Sequence, residues 1–250
     1  MVTLFLFIGL IAGFFAAFLG IGAGVFLMPV YILLGIPYTI AIQASLMAVF
    51  FSSLTNSLQN RVIFQTHFEP IIFMAIPAAI SALIGGSVLI HIIHSKTLMI
   101  IFCGILLINI DLLKYISKRK IKMKSSKKRY LLTYIFTGII SGLSASLLGI
   151  GGGILIVTLL CFFSKFSVRA SVNTSIVIMI VTTFFSLLSG ILQNPLPYST
   201  GLPSALGAVI GSFFGAFVPP YVKPNLILKI NYTISFILAI TMIYNIISIG

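Results

Sequence analysis

The sequence predicts an all-α, polytopic membrane protein of about eight transmembrane helices, arranged as two homologous four-helix halves whose first helices are broken by glycine. Three observations lead there. The chain of 250 residues is 60% hydrophobic and 7% charged, with a mean hydropathy of +1.24, which lies outside the composition of water-soluble globules. Its apolar residues gather into runs near the roughly 20 that a helix needs to cross a hydrocarbon core. The stretch Gly20-Ile21-Gly22-Ala23-Gly24 returns as Gly149-Ile150-Gly151-Gly152-Gly153, each time inside such a run.

The duplication extends past the glycines. A shift of 129 residues superposes Gly9, Gly13, Ala16 and Leu19 on Gly138, Gly142, Ala145 and Leu148, and one further residue of register brings Gln43-Ala44-Ser45 onto Asn173-Thr174-Ser175. The chain therefore divides into a first transmembrane repeat at 1–113, a basic linker at 114–129 and a second repeat at 130–250.

The first apolar run, Leu4 to Leu34, would measure about 46 Å as an unbroken helix, against a hydrocarbon core of about 30 Å. It is expected to tilt strongly, to bend, or to divide into a span and a shorter arm, Val25 to Leu34, ended by Gly35-Ile36-Pro37. Thr39 to Leu58 is a second span, rich in polar residues and closed by Asn60-Arg61. Pro70 to Ile90 is a third, whose Ala78, Ala79, Ser81, Ala82, Gly85 and Gly86 mark a tightly packed face. Leu98 to Leu113 completes the first repeat. In the second, Leu131 to Leu148 leads through the glycines into Ile154 to Phe163, then Val168 to Leu192, Pro203 to Val218 and Leu226 to Ile247. The N-terminal run resembles the apolar part of a signal peptide but has no basic flank, and its pattern recurs in mid-chain at Tyr130 to Gly149. It is expected to be a mature span.

Charge is confined. Nine of the fifteen basic residues lie from Lys114 to Arg129, so the net charge of +13 describes a cytoplasmic loop lying against anionic membrane lipids. Without a soluble domain to carry a basic face, no nucleic acid is expected as a partner. Four crossings per half would leave Lys165, Arg169, Lys223 and Lys229 outside, against the positive-inside rule. Either these are tolerated, or they attract an anion, or a re-entrant glycine-broken segment changes the number of crossings.

Glycine inside a membrane helix weakens it and exposes backbone polar groups, which hydrocarbon does not tolerate unless they are buried in protein or line a polar cavity. Gly20, Gly22, Gly24, Gly149, Gly151 and Gly153 are thus candidate anion-binding positions, their amides and half-helix ends facing a central cavity. Close packing of helices through small residues is the other reading. Gln43, Ser45, Asn173, Thr174 and Ser175 follow the arms and offer neutral donors for an oxyanion or ligands for sodium, or else bind helices to one another. Arg169 either attracts an anionic substrate or snorkels to the interface. The acidic residues, Asp111 beside Lys114 and Glu69 beside Pro70, lie at span ends and do not form a mid-membrane proton relay. His91 and His94 lack a third ligand, and Cys103 and Cys161 read as small core residues. No nucleotide-binding, zinc-hydrolase or nucleophile-elbow motif is present, so neither a cofactor nor enzyme activity is signalled.

The run Gly20 to Pro29, its second copy Gly149 to Ile156, and the downstream Ala44-Ser45-Leu46 and Thr174-Ser175-Ile176 resemble the TauE/SafE sulfite exporter family, the TSUP permeases. The resemblance covers nearly the whole chain. It departs at Thr158, where the first copy has Pro29, and at Ala23, an alanine among glycines. What it implies is secondary transport of a small sulfur-containing anion, sulfite or an organosulfonate, across the bacterial inner membrane. A proton or a sodium ion is the candidate coupling ion. The alternatives from outside that class are a passive anion channel and an intramembrane enzyme, the latter disfavoured by the scarcity of Asp, Glu and His in the spans.

Overall fold

In a computed structural model, residues 1–59, 68–118, 127–164, 166–193, 196–218, 222 and 224–248 are described. Arg61, Lys165, Lys223 and the side chains of Glu69 and of Lys118 to Arg129 lie outside the described residues, and the expectations placed on them with them. The elements are α1 (Val2–Leu19), α2 (Gly24–Leu33), α3 (Tyr38–Gln59) and α4 (Phe68–Ile84), the last continued by one π-helical turn (Gly85–Leu89) and a short α5 (Ile90–Ile92). There follow α6 (Ser95–Lys118), α7 (Lys127–Leu148), α8 (Gly153–Phe163), α9 (Val168–Ile191), α10 (Tyr198–Gly215) and α11 (Pro224–Ser248).

Seven segments among the described residues are long and apolar enough to cross a membrane: Val2–Leu19, Tyr38–Gln59, Pro70–Ile92, Ser95–Ile116, Leu131–Leu148, Val168–Ile191 and Leu226–Ile247. The expected eighth, 203–218, falls in α10, where Gly201, Ser204, Gly207, Gly211 and Ser212 dilute the apolar content. The arms α2 and α8 hold 10 and 11 residues, which at about 1.5 Å per residue fall well short of a span.

The glycines and serines that make α10 less hydropathic are what it packs with. A Cβ on Gly9 or Gly13 of α1 would strike the backbone of Ser204 or Ala208, while Gly207, Gly211 and Gly215 lie against the carbonyls of Leu6, Leu10 and Phe14. Apolar side chains gain nothing by leaving lipid for one another, so membrane helices associate through such close backbone contact. The residue order makes α1 and α10 parallel. A like contact joins α4 and α7, where Gly138 and Gly142 abut the carbonyls of Met74 and Ala78.

Other pairs run antiparallel. Gln43 near the start of α3 meets Gly190 at the end of α9, and Phe50 meets Phe184 at 6.2 Å between ring centroids. Cys103 of α6 meets Ala239 of α11, and Lys114 lies over the Tyr232 ring. Both cysteines are free and buried. Outward faces are apolar, with Ile72, Ile76, Ile80, Phe136, Phe214 and Ile240 exposed, as a lipid-facing surface requires.

Gly211→Ala sets a methyl into the Leu10 carbonyl, whereas a Cβ at Gly104 meets open space. The α1–α10 contact therefore predicts that Gly211→Ala destabilises the detergent-solubilised protein by about 1–3 kcal/mol, and that Gly104→Ala leaves it unchanged or gains up to about 1 kcal/mol. Thermal unfolding of the two variants side by side checks this, and equal midpoints contradict it.

Candidate functional site

Helix α1 ends because Gly20 turns left-handed at φ 68°, its N–H donating to Ala16 O at 2.8 Å, and α7 ends the same way at Gly149, φ 69°, donating to Ala145 O at 2.9 Å. Gly22 and Gly151 follow at φ 87° and 73°. A side chain in this region costs about 1–2 kcal/mol, so the chain reverses where glycine stands. Ala23 is tolerated because its φ is −62°, whereas Gly152, its counterpart, sits at 79°.

The two turns touch. A Cβ on Gly24 would enter the carbonyl oxygen of Gly149, one on Gly22 would lie 2.9 Å from the carbonyl oxygen of Ile150, and one on Gly153 2.9 Å from Ile21. Backbone packs on backbone, with Ile21, Ala23 and Ile150 wholly buried. Only glycine lets two chain reversals approach so closely.

Carbonyls freed by the reversals need donors, and each turn receives one from the helix after the other turn. Ser45 Oγ lies 2.9 Å from Gly149 O and 2.8 Å from Ile42 O; Ser175 Oγ lies 2.8 Å from Gly20 O and 2.7 Å from Val172 O. Thr182 Oγ1 adds a contact of 2.9 Å to Gly151 O. Asparagines hold the arms: Asn245 Nδ2 donates to Pro29 O at 3.2 Å, and Asn109 Nδ2 to Thr158 Oγ1 at 2.6 Å. Where the arms differ in sequence, a carbonyl in one and a hydroxyl in the other take the same kind of donor.

Two cavities flank this crossing. The larger, about 30 Å³, is lined by Thr39, Gln43, His91, Ser146, Ser186, Ser189 and Gln193 among others; a single water needs roughly 10–15 Å³. Gln43 Nε2 donates weakly to Gly190 O at 3.4 Å, Ser189 Oγ to Ser186 O at 2.8 Å, and Gln193 Nε2 to Gly86 O at 3.0 Å. His91 Nε2 lies 2.5 Å from Gln193 Oε1 at the mouth. Ser186 Oγ is buried and has no partner among the described residues. The wall opposite is the π turn, a distortion often found at functional sites, and its Gly85 and Gly86 let the Ser146 and Ser189 hydroxyls approach. The smaller cavity, about 10 Å³, is lined by Ala16, Ala17, Gly22, Ser52, Ser53, Asn56 and Met179.

Of the residues singled out in the sequence, Gln43 lines the larger cavity and Gly22 the smaller. Gly20, Gly24, Gly149, Gly151, Gly153, Ser45 and Ser175 form the crossing itself. Thr174 bonds Ala170 O of its own helix at 2.9 Å, and Asn173 is half-buried on α9; neither lines a cavity. Sequence reasoning passed over Ser146, Ser186, Ser189 and Gln193. The signal was present, since 186, 189 and 193 share a helical face at the end of an apolar span. Among the described residues no acidic side chain lines either cavity, and no three His, Cys, Asp or Glu gather as a metal would need. Neutral hydroxyls and amides of this kind suit a small anion, donating hydrogen bonds to it without a buried cation.

Ser45→Ala and Ser175→Ala each strip a donor from a buried carbonyl and are expected to destabilise the protein by about 0.5–1.5 kcal/mol. Thr174→Ala, which loses only a bond within its helix, should be close to neutral. Unfolding midpoints of the three variants test the assignment, and a Thr174→Ala effect equal to the serine variants contradicts it.

The family model described as "Sulfite exporter TauE/SafE" matches residues 5–242. No curated protein and no solved structure matches the chain. A match over nearly the whole length, on a bundle of seven membrane-length helices, makes this a multi-pass membrane protein, and the chain belongs to the sulfite exporter TauE/SafE family of transporters.

Proposed function

We propose that the protein is a secondary transporter carrying a small sulfur-containing anion, sulfite or an organosulfonate, across the bacterial inner membrane by alternating access of two homologous halves. The observation that carries this reading is the pair of cavities on opposite sides of a crossing to which both repeats contribute. α3 lends residues 39–46 to one cavity and 52–56 to the other, and about 15 Å of helix separates Gln43 from Ser53. Backbone packed on backbone between them supports a carrier over an open channel.

In the larger cavity, Ser186 Oγ and the weakly engaged Gln43 amide are the donors available to an oxyanion. The volume admits about two waters, so a small ion is the largest cargo it accepts without movement of the walls. Ser45 and Ser175 serve as positioning residues that hold the glycine turns. A proton or sodium gradient would drive the cycle.

The arm α2 folds back along α1, Phe26 stacking on Phe15 and Tyr31 meeting Phe5 at 6.0 Å between ring centroids. A repeat with a returning arm makes an odd number of crossings, so the two repeats enter from opposite sides, in keeping with the antiparallel α3–α9 and α6–α11 pairs. This topology replaces four crossings per half. With the linker cytoplasmic, the connections bearing Arg61, Lys165 and Lys223 and the starts of α9 and α11 bearing Arg169 and Lys229 all become cytoplasmic, and the conflict with the positive-inside rule disappears. The Gln43 cavity then opens away from the cytoplasm.

Flux of radiolabelled sulfite in proteoliposomes tests the reading. Gly22→Leu and Gly151→Leu are expected to abolish it while the protein stays in the membrane, and Ser186→Ala with Gln43→Ala to lower it about tenfold or more, as loss of hydrogen bonds to a charged ligand implies. Wild-type flux in the glycine variants would take the crossing off the pathway. Electrical recording at the single-molecule level separates a carrier from a channel.

A further inference from the structure

We propose that the smaller cavity, lined by Ala17, Ser53 and Asn56, is the collapsed form of a second anion vestibule that faces the cytoplasm, opens when the larger one closes, and on opening takes in Asn173. This rests on the transporter reading and adds to it a second site, with its residues and its latch.

The repeat relation carries one cavity onto the other. At the shifts that align the two copies, Ala17 corresponds to Ser146, Ser53 to Thr183, Asn56 to Ser186 and Gln43 to Asn173. Two of these pairs line both cavities, Ser146 and Ser186 in the larger and Ala17 and Asn56 in the smaller; Gln43 lines the larger alone and Ser53 the smaller alone. Both voids thus sit at the same place in their own repeat, between the end of the first helix and the later turns of the third. They differ in size, about 30 Å³ against 10 Å³.

One contact accounts for the difference. On the small side Asn56 Nδ2 reaches across from α3 to Ala17 O of α1 at 3.3 Å, drawing the two helices together. On the large side the counterpart, Ser186, leaves its hydroxyl without a partner among the described residues and makes no such bridge to α7. A longer side chain latches one vestibule shut while the shorter leaves the other open. Opening the small side frees the Asn56 amide as well as the Ser53 hydroxyl, which now bonds Val49 O of its own helix at 2.7 Å. The vestibule then offers a small oxyanion neutral donors like those of its counterpart.

Thiol accessibility tests the proposal in the full-length protein, with the wild type, whose two cysteines are buried, as baseline. A membrane-impermeant thiol reagent is expected to modify Ala17→Cys and Ser53→Cys from the cytoplasmic face in inside-out vesicles, and Ser189→Cys from the opposite face in whole cells. Asn56→Ser, which copies the open side, should raise the reactivity of Ala17→Cys several-fold and lower that of Ser189→Cys. Ser53→Cys is nearly isosteric and stands in should Ala17→Cys fail to assemble. Labelling of these positions from the same face as Ser189→Cys, or none in any background in which Ser189→Cys reacts, overturns the vestibule. Two-faced labelling without sulfite flux keeps the vestibule and removes the cargo; flux with one-faced labelling keeps the transporter and removes the vestibule.

Discussion

A carbonyl or amide released from a helix inside hydrocarbon must find a partner, and this constraint shapes the centre of the molecule. Two chain reversals release such groups at the same depth. The protein satisfies them by reciprocity: Ser45 serves the turn at Gly149, and Ser175 serves the turn at Gly20. Each turn is completed by the repeat that does not contain it. Neither would be satisfied in this way if its repeat stood alone in the membrane.

The rest of the architecture holds that meeting point in place. Small residues bring α1 onto α10 and α4 onto α7, so that the first helix of each repeat packs against the third long helix of the other. The asparagines on α6 and α11 reach the arms of the opposite repeat. Interlocked in this way, the repeats cannot slide freely. Beside the cavities, Ser186 keeps a buried hydroxyl without a partner among the described residues.

Much of this was legible in the residues. Membrane helices follow from apolar runs, and the glycine stretches announced where helices stop, because positive φ and close approach both exclude a Cβ. What sequence did not disclose was the pairing. Ser45 and Ser175 were read as donors for an anion, ligands for sodium or ties between helices; both make ties, to backbone carbonyls more than a hundred positions away, and which carbonyls these are no local pattern encodes. Gln43 was found because it follows the arm. Ser186 and Ser189, equally close to the cavity, were passed over, since serine in an apolar helix usually bonds its own backbone. α10 was counted as a span from its position in the repeat; its glycines and serines lower its hydropathy and pack it on α1, while Leu202, Leu206, Ile210, Phe213 and Phe214 face outward. Four crossings per half left four basic residues outside, and the proposed topology, with an arm that turns back, accounts for them.

Pulsed electron-spin distance measurements between labels at Thr39 and Ile92, which flank the mouth of the larger cavity from α3 and α5, address the central claim most directly. Alternation across the glycine crossing predicts two distance populations whose ratio shifts toward the shorter as sulfite is raised to saturation. A single distance that sulfite leaves unmoved, in protein that still carries the anion, would contradict it.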